Sequence, residues 1–92
     1  MAHNDSFDEP RFEALYRKLY PDLLRCAEIA LRTGGSWYVS VAGRAEEVVQ
    51  ELFAFAGEHQ ADLWSSASPT GWLYRVLRYK VLELLKEDRF WR

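Results

Sequence analysis

The sequence predicts an all-α protein, a compact bundle of three to four helices. Apolar residues recur at three- and four-residue spacing in three stretches, which is the repeat of an amphipathic helix. Between the stretches lie Gly34-Gly35 and Ser68-Pro69, residue types that end and begin helices. Residues 36–43 alternate as a strand would, but no second strand signal is present to pair with them. We expect that segment to be an apolar connector or an early start of the next helix.

The chain is expected to begin with a short tail. Residues 1–7 are assigned to a disordered tail and residues 8–92 to a single helical domain. Asp8 is a suitable N-cap for the first helix, because its carboxylate can accept hydrogen bonds from free backbone N–H groups. Phe7 and Phe12 are placed to pack across that cap as a hydrophobic staple.

The first helix is predicted by an apolar stripe that ends before Gly34. The stripe comprises Phe12, Leu15, Tyr16, Leu19, Leu23, Leu24, Ala27, Ala30 and Leu31. A break or kink is expected at Pro21, which lacks a backbone N–H and disfavours the helical conformation at Tyr20. Cys26 is expected to be a small buried hydrophobe beside the stripe, with a reactive thiol as the alternative.

The central helix, predicted from Arg44 to Ala56, has two different faces. Its apolar face consists of Ala45, Val48, Val49, Leu52 and Ala56, and its polar face of Glu47, Gln50, Glu51 and Ala54. A face that collects carboxylate and amide groups suits a basic protein partner better than a phosphate backbone. Residues 58–68 are then predicted to form a polar loop or a short helix.

The last helix is predicted to begin at Ser68-Pro69, with serine as the N-cap and proline in the first turn. Its core side consists of Leu73, Val76, Leu77, Val81 and Leu84, and its opposite side of Arg75, Tyr79, Leu82 and Lys86, flanked by Arg78.

The cations of the outer side can neutralise phosphates, while Trp72 and Tyr79 can stack on unpaired bases. The competing interpretation is that Trp72 and Tyr74 are core aromatics and that the cations are solvated surface charges. The acidic composition favours this second interpretation.

Composition limits the chain to one small domain and excludes several classes of protein. Of its 92 residues 49% are hydrophobic, which is enough for a single core. No apolar run reaches the roughly 20 residues of a membrane span, and the polar N-terminus lacks the pattern of a signal peptide. Cys26 is the one cysteine, which excludes an intramolecular disulfide and a cysteine-based zinc site. These points favour the cytoplasm.

The net charge of −2 is distributed unevenly. Residues 1–60 hold ten acids and six bases, whereas residues 61–92 hold four acids and six bases. An acidic N-terminal part and a mildly basic C-terminal part can bind two different partners. Ordinary solvated surface charge explains the difference equally well.

Enzymatic, metal and cofactor chemistry have little support in the sequence. His3 and His59 stand apart from any nucleophile or ligand set at a recognisable spacing. Glu47 and Glu51 share a helix face as in helical di-metal sites, but those sites also need a Glu-x-x-His element, which the sequence lacks. It also has no phosphate-binding glycine loop. We therefore expect no enzyme activity, no metal and no cofactor.

Three segments resemble region two of the sigma-70 family of RNA polymerase sigma factors, especially its extracytoplasmic-function class. They are FEALYRKLYPDLLRCA at residues 12–27, RAEEVVQELF at residues 44–53 and SPTGWLYRVLRYKVLELLK at residues 68–86. The resemblance covers residues 12–31 and 44–86, in the family's order and at about its spacing. It implies a compact, all-helical transcription initiation module with the sigma region-two fold.

The resemblance implies two binding surfaces. The central helix would dock on the coiled-coil clamp helices of the RNA polymerase beta-prime subunit through Glu47, Gln50 and Glu51, with Phe53 beside them. The loop before the last helix, and that helix's outer face, would bind the non-template strand of the melted promoter minus-ten element, with one base flipped into a pocket. The matching positions are Asp62, Trp64, Ser65, Ser66 and Ser68 in the loop and Trp72, Arg75, Arg78 and Tyr79 in the helix. An anti-sigma factor is a further partner that the resemblance implies.

The chain departs from the family pattern in several places. Tyr79 stands where Asn is common, Glu83 where Asp is common, and Gly57 where a large residue is usual. The connector at residues 32–43 is long, and the tail KEDRFWR is less basic than usual. Without a region-four helix-turn-helix, the chain is expected to be an excised domain or an unusual stand-alone one. The alternative function is therefore a degenerate sigma-like module that binds polymerase or a regulator without recognising DNA.

Overall fold

The protein is an all-α bundle, which confirms the predicted fold class. The computed structural model describes residues 9–34 and 41–90, with the backbone alone for residues 88–90. Within these ranges it contains no strand and four helices, which are α1 (Glu9–Thr33), α2 (Val41–Glu58), α3 (Gln60–Ser65) and α4 (Pro69–Phe90). The helices α1, α2 and α4 pack against one another, and α3 packs against α2 and α4.

The first helix runs without interruption through Pro21, so of the break or kink predicted there, the break does not occur. Pro21 is exposed, and the carbonyl that loses its helical N–H partner can therefore be hydrated. The buried residues of α1 lie on both sides of the proline and are Leu19, Leu23, Ala27 and Leu31. Burial of one leucine contributes about 1.5–3 kcal/mol, so together these residues outweigh the roughly 3 kcal/mol cost of an interior proline.

The end of α1 lies close to α4, and Gly34 permits this approach. The N–H of Gly34 donates to the carbonyl of Ala30 at 2.9 Å. A Cβ atom at Gly34 would overlap the side chain of Leu85 and lie 3.0 Å from that same carbonyl oxygen. The helix α1 ends at Thr33, close to the predicted position, and the absence of a side chain at Gly34 leaves room for α4.

The second helix begins at Val41, three residues before the predicted start. Its two predicted faces are confirmed, because Ala45, Val48, Val49, Leu52 and Ala56 are buried while Glu47, Gln50, Glu51 and Ala54 are exposed. Phe53 does not lie beside the exposed face, since only 5% of it is accessible. Its ring centroid lies 6.2 Å from that of Phe12 and 4.6 Å from that of Tyr16, so it joins α2 to α1.

A short helix, α3, forms within residues 58–68, for which the sequence predicts a polar loop or a short helix. Ser68 then caps α4 as predicted, because its Oγ accepts the N–H of Gly71 at 3.0 Å and its carbonyl accepts the N–H of Trp72 at 2.8 Å. Pro69 follows at the first helical position, where no N–H is needed. The core side of α4 is confirmed, with Leu73, Leu77, Val81 and Leu84 buried and Val76 partly buried.

Three sequence expectations concern residues outside the described ranges. They are the tail at residues 1–7, the cap formed by Asp8 with Phe7, and residues 36–40 of the segment 36–43. The last three residues of that segment, 41–43, belong to α2, as the expectation of an early helix start predicts. In the described parts of the chain, no helix is both long enough and apolar enough to cross a membrane.

Candidate functional site

An open groove lies where α2, α3 and α4 meet, and we call it the aromatic groove. It has a volume of about 420 Å³. The side chains that line it are Phe55 from α2, Asp62 from α3, and Trp72, Arg75, Val76, Tyr79, Lys80 and Glu83 from α4. The short helix α3 makes this arrangement possible, because it turns the chain between the end of α2 and the start of α4.

The rings of Trp72, Phe55 and His59 stack nearly in parallel, and the first two of them line the aromatic groove. The ring of Phe55 lies 6.1 Å from that of Trp72, with 18° between their planes, and 4.0 Å from that of His59, with 21° between them. Nδ1 of His59 lies 2.8 Å from the backbone carbonyl oxygen of Phe55. A carbonyl can only accept, so Nδ1 carries the hydrogen and the bond holds the imidazole against Phe55.

Trp72 and Tyr79 differ in how far they are available to a ligand. Trp72 is partly buried and packs against the core while it also lines the groove, so it has features of both sequence interpretations. Tyr79 is 68% exposed. An exposed phenol ring beside a half-buried indole offers flat faces on which an unpaired base can stack.

The charges of the aromatic groove are balanced. Arg75 and Lys80 supply two cations, and Asp62 and Glu83 supply two carboxylates. Nζ of Lys80 lies 5.4 Å from the centroid of the Phe55 ring, within the range of a cation–π contact. Among the described residues, neither carboxylate takes part in an ion pair. The groove therefore offers hydrogen-bond donors, hydrogen-bond acceptors and aromatic faces together.

A second groove, the acidic groove, lies between α2 and α4 and has a volume of about 220 Å³. Its lining contains four carboxylates and two cations, which are Glu47, Glu51, Glu83, Glu87, Arg44 and Lys80. Nη1 of Arg44 lies 2.7 Å from Oε1 of Glu47, whose side chain is still 61% exposed. Because Lys80 and Glu83 line both grooves, the two surfaces are continuous.

Of the four residues expected to contact polymerase, three are exposed and one is buried. Glu47, Gln50 and Glu51 are exposed on α2, as the polar face predicted for this helix requires. Glu47 and Glu51 also line the acidic groove, where Glu83 of α4 extends the negative surface. Phe53 is buried in the core and is not presented to a partner.

Four of the residues expected to contact DNA come together in the aromatic groove, and they are Asp62, Trp72, Arg75 and Tyr79. The others do not line it. Trp64 is partly buried against the core, Ser65 and Ser66 lie at the end of α3, Ser68 caps α4, and Arg78 lines a different groove.

Sequence reasoning missed Phe55, Lys80 and Glu83 as members of the site. Val76, which the sequence predicts on the core side of α4, packs partly buried against the core and also lines the groove. A helical-wheel projection of α4 could have identified part of this set. Trp72, Val76, Lys80 and Glu83 are separated by three or four residues and therefore lie on one face of the helix. Phe55 could not be found in this way, because its position depends on how α3 returns the chain to α2.

A third groove, between α1 and α4, is lined mainly by apolar side chains and has a volume of about 290 Å³. Cys26 lies in its lining and is exposed, so the prediction that it is buried is wrong. Cys26 immediately precedes the buried Ala27. Adjacent residues of an α-helix lie about 100° apart around its axis, so Cys26 lies beside the buried stripe and not within it. The pKa of the neighbouring Tyr74 phenol is raised above its ordinary value by burial, and further by Cys26 and Asp22.

The described residues contain no group of three or more histidine, cysteine or carboxylate side chains that could hold a metal ion. Comparison of the chain with models of known protein families, with curated protein sequences and with solved structures returned no match. The motifs of the sequence and the geometry of the two grooves are therefore the features that indicate a function.

Proposed function

We propose that this domain is a sigma-like transcription initiation module. Through α2 it docks on the clamp helices of the RNA polymerase beta-prime subunit, and in the aromatic groove it binds the melted minus-ten element of a promoter. It acts in the cytoplasm and is not an enzyme. The observation that carries the proposal is the continuity of the acidic and aromatic grooves, which share Lys80 and Glu83.

The acidic groove supports the docking half of the proposal. Exposed carboxylates from α2 and α4 form one negative surface, and α2 adds the amide of Gln50 beside it. Such a surface complements a basic partner, and charge complementarity of this kind raises association rates and selects against acidic partners. A helix pair with basic side chains is therefore a suitable ligand.

The aromatic groove supports the DNA half of the proposal. Proteins that hold single strands combine stacking on aromatic side chains with cations along the backbone path. Trp72 and Tyr79 supply the rings, and Arg75 supplies an exposed cation beside them. An opened strand, whose bases are unstacked, matches these features better than a duplex does.

The docking assignment is tested by a pull-down with the beta-prime clamp helices. The double variant Glu47→Lys with Gln50→Ala is expected to lose retention, because it places a positive charge on the face that meets a basic partner. Glu13→Lys is the matched control, since Glu13 is an exposed acid of α1 whose surface ion pair with Arg17 contributes little. Retention of the double variant at the parental level would show that the docking assignment is wrong.

The DNA assignment is tested by titrating single-stranded minus-ten oligonucleotides at several salt concentrations. Arg75→Ala is expected to weaken binding and to reduce the salt slope by about 0.7, the value for one phosphate contact on a single strand. Tyr79→Ala is expected to weaken binding without changing that slope, because it removes stacking alone. Lys18→Ala, an exposed cation of α1, is the control. If all of these variants bind as the parent does, the recognition assignment must be abandoned.

A second candidate is a sigma-like module that binds polymerase or a regulator, such as an anti-sigma factor, without DNA. The balanced charge of the aromatic groove favours this candidate, because two carboxylates offset the two cations that phosphate contacts would need. The two candidates predict different results with opened promoter DNA. Saturable, sequence-dependent binding of that DNA excludes the second candidate.

A further inference from the structure

We propose that the third groove, between α1 and α4, is a docking site for an amphipathic helix with acidic flanks that belongs to another protein. We call it the apolar groove, and its aliphatic lining consists of Ala30, Leu77, Val81, Leu82 and Leu85. None of its lining residues also lines the aromatic or the acidic groove. A helix bound here therefore leaves both of those grooves open, and the proposal does not depend on the proposed function.

The lining of the apolar groove offers few polar groups to a ligand. The hydroxyl of Thr33 lies 2.9 and 3.3 Å from the carbonyl oxygens of Ile29 and Ala30, to which it can donate within its own helix. Of the described lining residues, Arg78 alone is charged at neutral pH, and it is exposed. It forms no ion pair with any described residue. The groove therefore combines an apolar floor with one available cation.

Apolar surface continues beyond the walls of the apolar groove. Ile29 of α1 is 52% exposed and Leu82 of α4 is 50% exposed. Ile29 immediately precedes the lining residue Ala30 and so lies about 100° around α1 from it, at the rim. A small molecule that fills the volume of about 290 Å³ would leave Ile29 in water, whereas a helix laid along the groove covers it. The extent of the apolar surface therefore favours a helix as the ligand.

The borders of the apolar groove are basic, although the chain has a net charge of −2. On α1 each bordering cation precedes a lining residue by one position, and on α4 the bordering lysine follows one. Adjacent positions lie about 100° apart, which places these side chains beside the groove on its solvent side. The exposed cations of the borders, together with the one in the lining, are Arg25, Arg32, Arg78 and Lys86. Asp22, near Tyr74, opposes them at one end.

The charge of the borders distinguishes the helix from two other ligands. A second copy of this chain would place one basic border against another, and such like-charge contacts are unfavourable. A phosphate backbone would complement the cations but would leave the aliphatic lining and Ile29 uncovered. A helix with apolar residues at i, i+3, i+4 and i+7 and carboxylates on either side matches both the floor and the borders.

The proposal is tested with two labelled peptides of about 15 residues, a length at which an isolated helix can form. Both carry leucine at the apolar positions, and the remaining positions are glutamate and alanine in one and lysine and alanine in the other. In fluorescence anisotropy the full chain is expected to bind the acidic peptide roughly tenfold more tightly than the basic one, because several exposed ion pairs add.

Cys26 provides a second measurement that reports on this groove alone. It is the single cysteine of the chain, it is exposed, and it lies in the lining. Saturation with the acidic peptide is therefore expected to slow alkylation of the thiol several-fold, whereas the basic peptide at the same concentration leaves the rate near that of the free protein.

Two substitutions at exposed positions locate the binding. Arg78→Glu is expected to weaken binding of the acidic peptide about five- to tenfold, because repulsion replaces an ion pair. Leu82→Ser is expected to weaken it about three- to tenfold, because part of the apolar contact is lost. Arg17→Glu is the matched control, since it makes the same charge change on an exposed part of α1 outside the groove. Circular dichroism checks that each variant keeps the parental helix content.

Every other outcome overturns the proposal. Equal affinity for the two peptides, or tighter binding of the basic one, removes the charge complementarity. Binding that does not protect Cys26, or that neither Arg78→Glu nor Leu82→Ser weakens, places the peptide elsewhere. Protection of Cys26 by dimer formation in sedimentation, or by a single-stranded oligonucleotide, identifies a second copy or a nucleic acid as the occupant. A failure of clamp or minus-ten binding overturns the proposed function alone, because neither peptide measurement uses those ligands.

Discussion

Gln60 is 2% exposed, and its Oε1 accepts the indole N–H of Trp64 at 2.8 Å. The guanidinium carbon of Arg11 in α1 lies 3.9 Å from the centre of the Trp64 ring. A buried amide costs free energy unless it is hydrogen-bonded, and this bond also fixes the indole where Arg11 covers it. These contacts connect α3 with α1 and explain why Trp64 belongs to the fold and not to the aromatic groove.

Two glycines provide a test of packing at the residue scale. A Cβ atom at Gly57, within α2, would lie 3.8 Å from the Phe12 ring, an ordinary contact. Gly57→Ala is therefore expected to raise the free energy of unfolding by about 0.5–1 kcal/mol, the difference between alanine and glycine inside a helix. Urea denaturation measures the change.

Gly34→Ala is the contrasting variant. The same added methyl group would overlap Leu85 and crowd the carbonyl of Ala30, so unfolding is expected to become easier by about 1 kcal/mol. If both alanine variants change stability in the same direction and by the same amount, the close approach of α1 and α4 at Gly34 is incorrect.

At the scale of single elements, α4 depends on its N-terminal cap. Ser68→Ala removes the acceptor for the N–H of Gly71 and is expected to destabilise the protein by about 1 kcal/mol. Ser68→Asp should retain most of the stability, because aspartate caps helices as well as serine does. Thermal unfolding followed by circular dichroism compares these variants with Ser65→Ala, whose exposed hydroxyl makes only a 3.3 Å bond to the carbonyl of Asp62. Equal losses in Ser68→Ala and Ser65→Ala would contradict the cap.

The helices were predictable from the sequence because their apolar repeats and end signals are local. Ser68-Pro69 correctly marks the start of α4, and Gly34 correctly marks the end of α1. Pro21 misled the prediction, because the local preference against proline is weaker than the burial of leucines before and after it. Phe53 misled it for a similar reason, since its place in the core depends on two rings of α1.

At the scale of the whole molecule, two tyrosines link stability to alkaline pH. The pKa of Tyr20 is raised above its ordinary value of 10.0 first by burial, then by the charge of Glu46 and by Tyr16. The pKa of Tyr74 is raised from the same value, also chiefly by burial. The folded protein therefore holds both protons more tightly than the unfolded chain does.

The sign of the pH effect follows from this difference in proton binding. The tyrosine contribution is fully present below pH 10 and is lost as the pH rises from 10 through the raised pKa values, because the unfolded chain ionises first. We expect urea midpoints to fall over that interval, and the fall to be smaller in Tyr74→Phe. An equal fall in Tyr74→Phe and the parent would contradict the role of Tyr74.

The candidate site was less predictable than the helices. Trp72, Arg75 and Tyr79 follow from the periodicity of one helix together with the family resemblance. The contribution of Phe55 depends on the turn made by α3, and the shared position of Lys80 and Glu83 depends on how α2 and α4 pack. Such relations join residues that are distant in sequence, and no local pattern contains them.

The aromatic groove has a consequence for the time course of folding. All of its lining residues lie between Phe55 and Glu83, in one continuous stretch that includes two short connections. The entropy lost on closing a loop grows with the length of the loop, and proteins dominated by short-range contacts fold within microseconds to milliseconds. Forming the groove therefore closes only short loops, because its lining comes from α2, α3 and α4 and includes no residue of α1.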